Sequence, residues 1–321
     1  MTLAALRNWL VHGRRGVAAM TAPGPGSVEN AFATETRSTN PSQPDPPPAP
    51  GIDEPPRPPA HWTRARITAE EELWGTGYLT PGGAPEVLRF AAPIGLSAAS
   101  TLLLLGAGAG GPAQTLATDL GVWVAGYESD EDLASLATRR IQRAGAALAK
   151  RATIATWDRH NPLLPRRTAH HALALDAIRD ATPEPVLAAA AGALKPYGQF
   201  VILETVSPTP LDPADPAIAA WCRLEGRRPA LPDPAAITLA LGRLGFDVRV
   251  VEDMSARHMR LAVLGWKHLV RQMARERPSH ERAAAVVTAA EMWTRRIRLM
   301  HAGGIRLMRW HAIGGGGSGP G

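Results

Sequence analysis

Residues 101–105 (TLLLL) are apolar or β-branched without alternation, the pattern of a strand buried on both faces. The run enters three glycines at alternate positions, Gly106, Gly108 and Gly110, with Gly111 directly after. Glycines at that point let the backbone turn tightly and approach a ligand closely. Downstream, strand-like and helix-like segments alternate. Residues 112–120 read as a helix and 122–127 as a strand ending in Glu128. A long helix follows over 130–149, then strands at 152–156 and 170–175. Thr182 and Pro183 open an Ala-rich helix over 183–194, and residues 195–198 (KPYG) turn into a strand over 199–204. This alternation predicts a parallel α/β sheet.

The rhythm changes towards the C-terminus. A helix near 234–244 leads through Gly245 into a strand over 246–251. Two helices follow, with apolar stripes at Met259, Val263, Trp266, Val270 and Met273, and at Val286, Ala290, Trp293, Ile297 and Met300. Steps of three or four give each helix one apolar side, and a last strand over 305–313 closes the domain. Upstream of the glycine-ended strand, Thr68 with Glu71 three residues on predicts a helix over 68–74. A glycine-rich loop with two aromatics (74–83, WGTGYLTPGG) comes next, and Pro85 opens a helix to about Pro93.

The flanks differ in composition. Residues 1–20 are basic and without acids, read as a weak targeting segment or as the product of a start placed before Met20. Residues 21–60 hold 12 of the 30 prolines and are expected to be a disordered linker. Residues 314–321 (GGGGSGPG) are expected to be a flexible tail. The remaining span, 61–313, is the expected folded domain, with 255–301 as a helical insertion capping the substrate.

Composition narrows the class. A 321-residue chain has room for one large domain or two small ones, and 45% apolar content suffices for a core. Cys222 is the sole cysteine, so no intrachain disulfide forms, and no apolar run reaches the ~18–20 residues that span a bilayer. The expectation is a soluble, cytoplasmic protein. The net charge of +6 is concentrated at the C-terminus, where residues 257–310 carry 12 Lys/Arg against 3 Asp/Glu. Such a region suits an anionic small substrate or nucleic acid, and equally a solvated helix face.

Strand, glycine turn, helix, strand and acid form a nucleoside-binding order. Glu128 lies 22 residues after Gly106, where a carboxylate can accept from both ribose hydroxyls. Gly106, Gly108 and Gly111 also satisfy G-x-G-x-x-G, which leaves a dinucleotide open. Three features favour S-adenosylmethionine. Trp157-Asp158 follows the third strand, where an acid can meet the adenine amino group beside a ring. Residues 193–204 (ALKPYGQFVILE) supply helix, turn and fifth strand. The late strand–helices–strand ending fits a last strand inserted antiparallel.

On these residues, from about 61 to 313, the chain resembles the class I S-adenosylmethionine-dependent methyltransferases. More narrowly it resembles the phosphobase (phosphoethanolamine) and related small-molecule amine methyltransferases. The segments that carry the resemblance are 73–83, 102–111, 126–129, 157–158, 175–178, 194–204 and 293–298. It implies a Rossmann-like seven-stranded sheet, mostly parallel with the last strand antiparallel. Helices lie on both faces, and a helical insertion precedes the last strand. It places Gly106, Ala107, Gly108 and Gly110 at the amino-acid end of the cofactor, Glu128 and Ser129 at the ribose, and Trp157 and Asp158 at the adenine. The loop Tyr78, Leu79 and Thr80 lies over the methionine.

Departures mark the active site. The acid usual two residues before the first glycine is Leu104. The Tyr–His pair of the phosphobase enzymes falls on Trp62 and Asp180, and aromatics that contact the phosphobase fall on Thr205 and Pro229. The resemblance then implies Asp176 on the acceptor amine or hydroxyl, Asp180 or Glu204 as base, and Trp62, Arg227 and Arg296 on the substrate. The two arginines would hold an anionic group. No metal is expected. The expected activity is methyl transfer to a small molecule. A non-catalytic cofactor-binding module with a degenerate site is the alternative, followed by a nucleic-acid methyltransferase and a nicotinamide oxidoreductase. Asn161-Pro162-Leu163-Leu164 lacks the second proline and the aromatic that handle an extruded base, though the basic C-terminal helices leave nucleic acid open as a partner. Oligomeric state is not legible.

Overall fold

Seven strands form one sheet: β1 (Thr101–Leu105), β2 (Trp123–Glu128), β3 (Ala152–Thr156), β4 (Ala169–Leu175), β5 (Leu194–Val206), β6 (Phe246–Asp253) and β7 (Arg306–Gly314). They come from a computed structural model that describes residues 61–275 and 278–315. The order across the sheet is β3-β2-β1-β4-β5-β7-β6. The first five are mutually parallel, and β7 runs antiparallel to both β5 and β6. Leu102 to Leu105 are all buried although successive residues point to opposite faces, so both sides of β1 are covered. Edge strand β6 instead alternates buried or half-buried positions with exposed ones. The seven-stranded sheet with its reversed last strand is the one the resemblance implies.

Among the described residues ten α-helices surround the strands: α1 (Arg64–Trp74), α2 (Gly83–Ala91), α3 (Gly111–Asp119), α4 (Glu131–Arg143), α5 (Ala146–Arg151), α6 (Pro183–Ala193), α7 (Pro216–Glu225), α8 (Pro234–Arg243), α9 (Ser255–Met273) and α10 (His280–His301). Half of them open on a side-chain cap. Thr63, Asp130, Asp215, Asp233 and Ser279 each accept a backbone N–H of their first turn.

Several boundaries depart from expectation. Helix α1 is capped by Thr63 rather than Thr68, because Ile67 and Ala69 are already on its buried side. The helix expected over 130–149 breaks at Gly145, whose φ of 118° a side chain would disfavour. Helix α7 was not expected at all. Strand β5 begins at Leu194, which pairs with Ala169 before an irregular stretch, and regular pairing resumes at Gln199 with His171. The tail expected from 314 loses Gly314 to the sheet, where it pairs with Phe246. Residues 1–20, 21–60 and 316–321 lie outside the described residues.

Helices α9 and α10 lie between β6 and β7. The buried side of α10 is as expected at Val286, Ala290, Trp293 and Met300. That of α9 has the expected period but is turned by one residue, to His258, Ala262, Trp266 and Leu269. The turn follows from Gly265, which sits so close to α1 that a Cβ there would lie 2.2 Å from the Trp74 ring. Among the described residues no helix is long and apolar enough to cross a membrane.

Candidate active site

A cleft of about 740 Å³ opens at the carboxyl ends of β1, β2, β4 and β5, where the strand order switches direction. Open α/β sheets bind ligands in this crevice. Its inner wall is backbone. Gly106 follows β1 with φ of 76°, and a Cβ there would lie 2.2 Å from the carbonyl oxygen of Leu175. The N–H groups of Gly106 and Ala107 both donate to the Tyr127 carbonyl, at 2.9 and 3.1 Å, so the chain turns sharply out of the sheet. A second glycine loop lies against the first: Gly111 N–H donates to Gly77 O at 3.0 Å. A Cβ on either residue would come within 2.7 Å of the other's backbone. Arg140 ties the two together by gripping the Glu71 carboxylate and donating to Ala109 O at 3.0 Å. Glu71 in turn accepts the Gly77 N–H at 2.9 Å.

Glu128 closes the next side. Its carboxylate accepts N–H groups from Gly108 (2.7 Å), Ser129 (2.8 Å) and Asp130 (3.1 Å), and so braces the glycine turn from the end of β2. Oε2 takes one of these bonds and has acceptor capacity left, and Glu128 lines the cleft. The Trp157 N–H donates to Glu128 O at 3.2 Å, Asp158 accepts the His160 N–H at 2.8 Å, and Arg159 holds the Ser129 hydroxyl.

Below the cleft lies a network of buried charge. Arg227, its side chain fully buried, donates to Asp176 Oδ2 at 2.6 Å and lies 2.9 Å from Glu225 Oε1. Arg296 bonds Glu225 through one nitrogen and Thr205 Oγ1, at 2.9 Å, through another. Burial pushes Asp176 up, but Arg227, Arg179 and Arg296 outweigh it and hold its carboxyl well below the usual carboxylate range. Glu225 is likewise driven up by burial and pulled down by Arg227 and Arg296, to about 2. Burial and then the charge of Asp176 push the Glu204 carboxyl well above the usual carboxylate range. Both its oxygens accept backbone N–H groups, from Ile178 (2.9 Å) and Arg179 (3.1 Å).

This geometry sorts the expected residues. Trp62, Tyr78, Leu79, Thr80, Gly106, Gly108, Glu128, Ser129, Trp157, Asp158, Asp176, Asp180 and Arg296 all line the one cleft. Four do not. Ala107 is fully buried, and Gly110 caps α3 and packs on Ala137. Glu204 is fully buried away from the cleft, and both of its oxygens are taken by backbone N–H groups, so it is not placed to meet a substrate. Arg227 is enclosed with two carboxylates, so it is not available to an anionic substrate group. Two further expectations change in detail. The Tyr78 hydroxyl turns away to Gly111 O (3.1 Å) and the Thr115 hydroxyl. Leu104 is enclosed in β1, and no acid replaces it from that position.

Residues at the far end of the cleft were missed. Glu70 is buried and accepts the indole N–H of Trp74 (2.6 Å) and of Trp293 (3.3 Å) on the same oxygen. Burial raises its carboxyl to about 7, the indole bonds and Arg66 notwithstanding. His258 packs on Trp293 with ring centroids 5.5 Å apart. Burial, reinforced by Arg296, lowers it to about 3, and its Nε2 has no hydrogen-bond partner. A Trp and a Glu four residues apart on one helix was the available signal: Glu70–Trp74 on α1, repeated as Trp221–Glu225 on α7.

No protein-family model matches the chain, and no curated protein matches it. Solved structures do. Phosphoethanolamine N-methyltransferase 2 of Haemonchus contortus, solved with phosphomonomethylethanolamine and S-adenosylhomocysteine, is 19% identical with a TM-score of 0.66. The match covers 78% of this chain and 57% of that one, so this chain spans little more than half that enzyme's length. A putative sarcosine dimethylglycine methyltransferase from Galdieria sulphuraria is 16% identical, TM-score 0.59, over 72% and 85% of the two chains. The [4+2]-cyclase SpnF is 17% identical, TM-score 0.59, over 79% and 94%. The fold is therefore that of the class I S-adenosylmethionine-dependent methyltransferases.

Proposed function

We propose that the chain binds S-adenosylmethionine and transfers its methyl group to a small-molecule acceptor by in-line displacement. The observation that carries this reading is the side-chain-free hollow at Gly106 and Gly108, faced by the 74–83 loop and bordered by Glu128. A methionine moiety fits against backbone there, where a Cβ on Gly106 would collide with β4. Glu128 Oε2 accepts from the ribose, Trp157 and Asp158 meet the adenine, and Leu79 and Thr80 cover the amino-acid end. The cofactor supplies an electrophilic methyl on a sulfonium. The protein's share is positioning, which can contribute ~7–11 kcal/mol to such a displacement. Asp180, half-buried at the cleft and accepting only the Arg228 N–H (3.1 Å) at Oδ1, is the carboxylate we assign to take a proton from the nucleophile. Asp176 is a positioning group: its oxygens are held by Arg227 and by the Thr205 N–H at 3.2 Å.

Because a cyclase shares the fold, binding and transfer are measured separately. Calorimetric titration with S-adenosylmethionine, S-adenosylhomocysteine and NAD is expected to show both sulfur nucleosides binding and NAD not. Binding of NAD alone would overturn the proposal. Glu128→Ala is expected to weaken S-adenosylhomocysteine about 10- to 100-fold, since it removes the ribose acceptor and the brace of the glycine turn. An unchanged Kd would place the nucleoside elsewhere. Methyl transfer is read as S-adenosylhomocysteine release across an acceptor panel. Cofactor binding without release for any acceptor would favour a non-catalytic module.

A further inference from the structure

We infer that the far end of the cleft is a binding site for an ammonium group carried on an apolar body, with Glu70 as its counter-charge. The inference rests on the cleft being the acceptor site of a methyltransferase, and it replaces an anionic acceptor group with a cationic one. Three other carboxylates lining the cleft are already matched. Asp176 and Glu225 face Arg227 and Arg296, and Glu86 takes Arg257 bidentately at 2.7 to 3.0 Å. Glu70 has no guanidinium or ammonium at ion-pair distance among the described residues. Arg66, whose charge acts on Glu70, and Arg296 are committed elsewhere. Arg66, one turn back on α1, donates to Leu224 O at 2.8 Å and meets His61 Nδ1 at 3.3 Å. Arg296 on α10 serves Glu225 and Thr205.

An isolated buried carboxylate is costly and protonates unless a cation joins it. Glu70 does have two donors, but both are uncharged indoles on one oxygen. His258 on α9 lines the same cleft and has a buried Nε2 without a hydrogen-bond partner among the described residues, and Trp293 touches both His258 and Glu70. An ammonium has three N–H donors and no acceptor, so it suits a carboxylate and a neutral imidazole together. The surrounding wall of Trp293, Met292, Leu261 and Phe90 takes the apolar remainder. The charged groups acting on Glu70 are Arg66 on its own helix and Glu225 on α7, while neighbouring His258 on α9 feels Arg296 on α10, Glu225 and Asp176.

The test is a titration of the full chain, with and without saturating S-adenosylhomocysteine, using primary alkylamines from butylamine to octylamine and the matching alcohols. Tryptophan fluorescence is the readout. At pH 8 at least one amine is expected to bind ten times or more tighter than its alcohol. Glu70→Gln, which keeps an acceptor for both indoles, is expected to reduce that preference to threefold or less and leave S-adenosylhomocysteine binding unchanged. In the unaltered protein, amine affinity is expected to fall about tenfold from pH 8 to pH 6 as Glu70 protonates, while alcohol affinity stays level. This arm stands even where the variant does not fold. No amine preference, or one that survives Glu70→Gln or is flat with pH, overturns the inference. Absence of S-adenosylhomocysteine binding instead overturns the methyltransferase reading.

Discussion

Arg227→Met is expected to lower the unfolding free energy by about 3–5 kcal/mol, measured by urea unfolding followed by circular dichroism. The reason is asymmetry. Removing one member of a buried charge network leaves its partners undercompensated: here Asp176, at 2.6 Å, loses its ion pair, and Glu225, at 2.9 Å, keeps Arg296 alone. Adding Asp176→Asn to Arg227→Met is expected to recover part of the loss, because Asp176 is the carboxylate left without an ion pair among the described residues. A loss under ~1 kcal/mol for the single variant would mean that water reaches the network. The acid side of the stability curve gives a second readout. Glu225 is held at about 2 against an ordinary value of 4.5, so its contribution is complete above 4.5 and disappears as pH falls towards 2. In Arg227→Met the folded-state value moves back up, and the decline in stability over that window becomes shallower.

Gly106→Ala is the second large effect. Its Cβ would stand 2.2 Å from the Leu175 carbonyl, and β1 cannot retreat because it is paired to β4 from Leu102 to Leu105. The left-handed backbone alone costs a side chain ~1–2 kcal/mol, and the collision adds to it. The expected result is either no folded protein or an S-adenosylhomocysteine affinity reduced more than about 100-fold, read by calorimetry. Gly108→Ala is the control. It has a similar φ, but the nearest atom to its Cβ is the flexible end of Leu79 at 3.7 Å, so it is expected to fold with a stability loss near that of the backbone term. Equal behaviour of the two variants would mean that backbone conformation, not contact with β4, governs the loop.

The contrast between these two glycines also shows where sequence reading stops. The apolar run, the glycines and Glu128 were legible because strand burial and tight turns each leave a local pattern. Strand–helix alternation then led to the parallel half of the sheet. Partnership leaves no such pattern. Arg227 and Arg296 look the same in sequence whether they await a phosphate or hold a carboxylate, and the carboxylate they hold, Glu225, ends a helix that was not expected. Glu70, Glu71 and Glu72 are adjacent and identical in sequence, yet they go three ways. Glu70 meets two indoles, Glu71 meets Arg140 and the Gly77 N–H, and Glu72 meets Arg282. The off-by-one face of α9 has the same origin: its period is intrinsic, but its phase is set by Gly265 against Trp74.

The reversed strand at the end of the sheet bears on how the protein is made. Strand β6 has no hydrogen-bonded neighbour except β7 among the described residues, and β7 alone joins it to β5. During synthesis β6 therefore leaves the ribosome with no docking place, and helices α9 and α10 must follow before the strand between β5 and β6 arrives. Until then the fully buried ring of Trp310 is missing from the core, and β5 presents an open edge. The nascent chain passes through a long interval as a five-stranded sheet with one raw side. That interval is the vulnerable step for aggregation, and completing the sheet falls to nearly the last residues translated in the folded region.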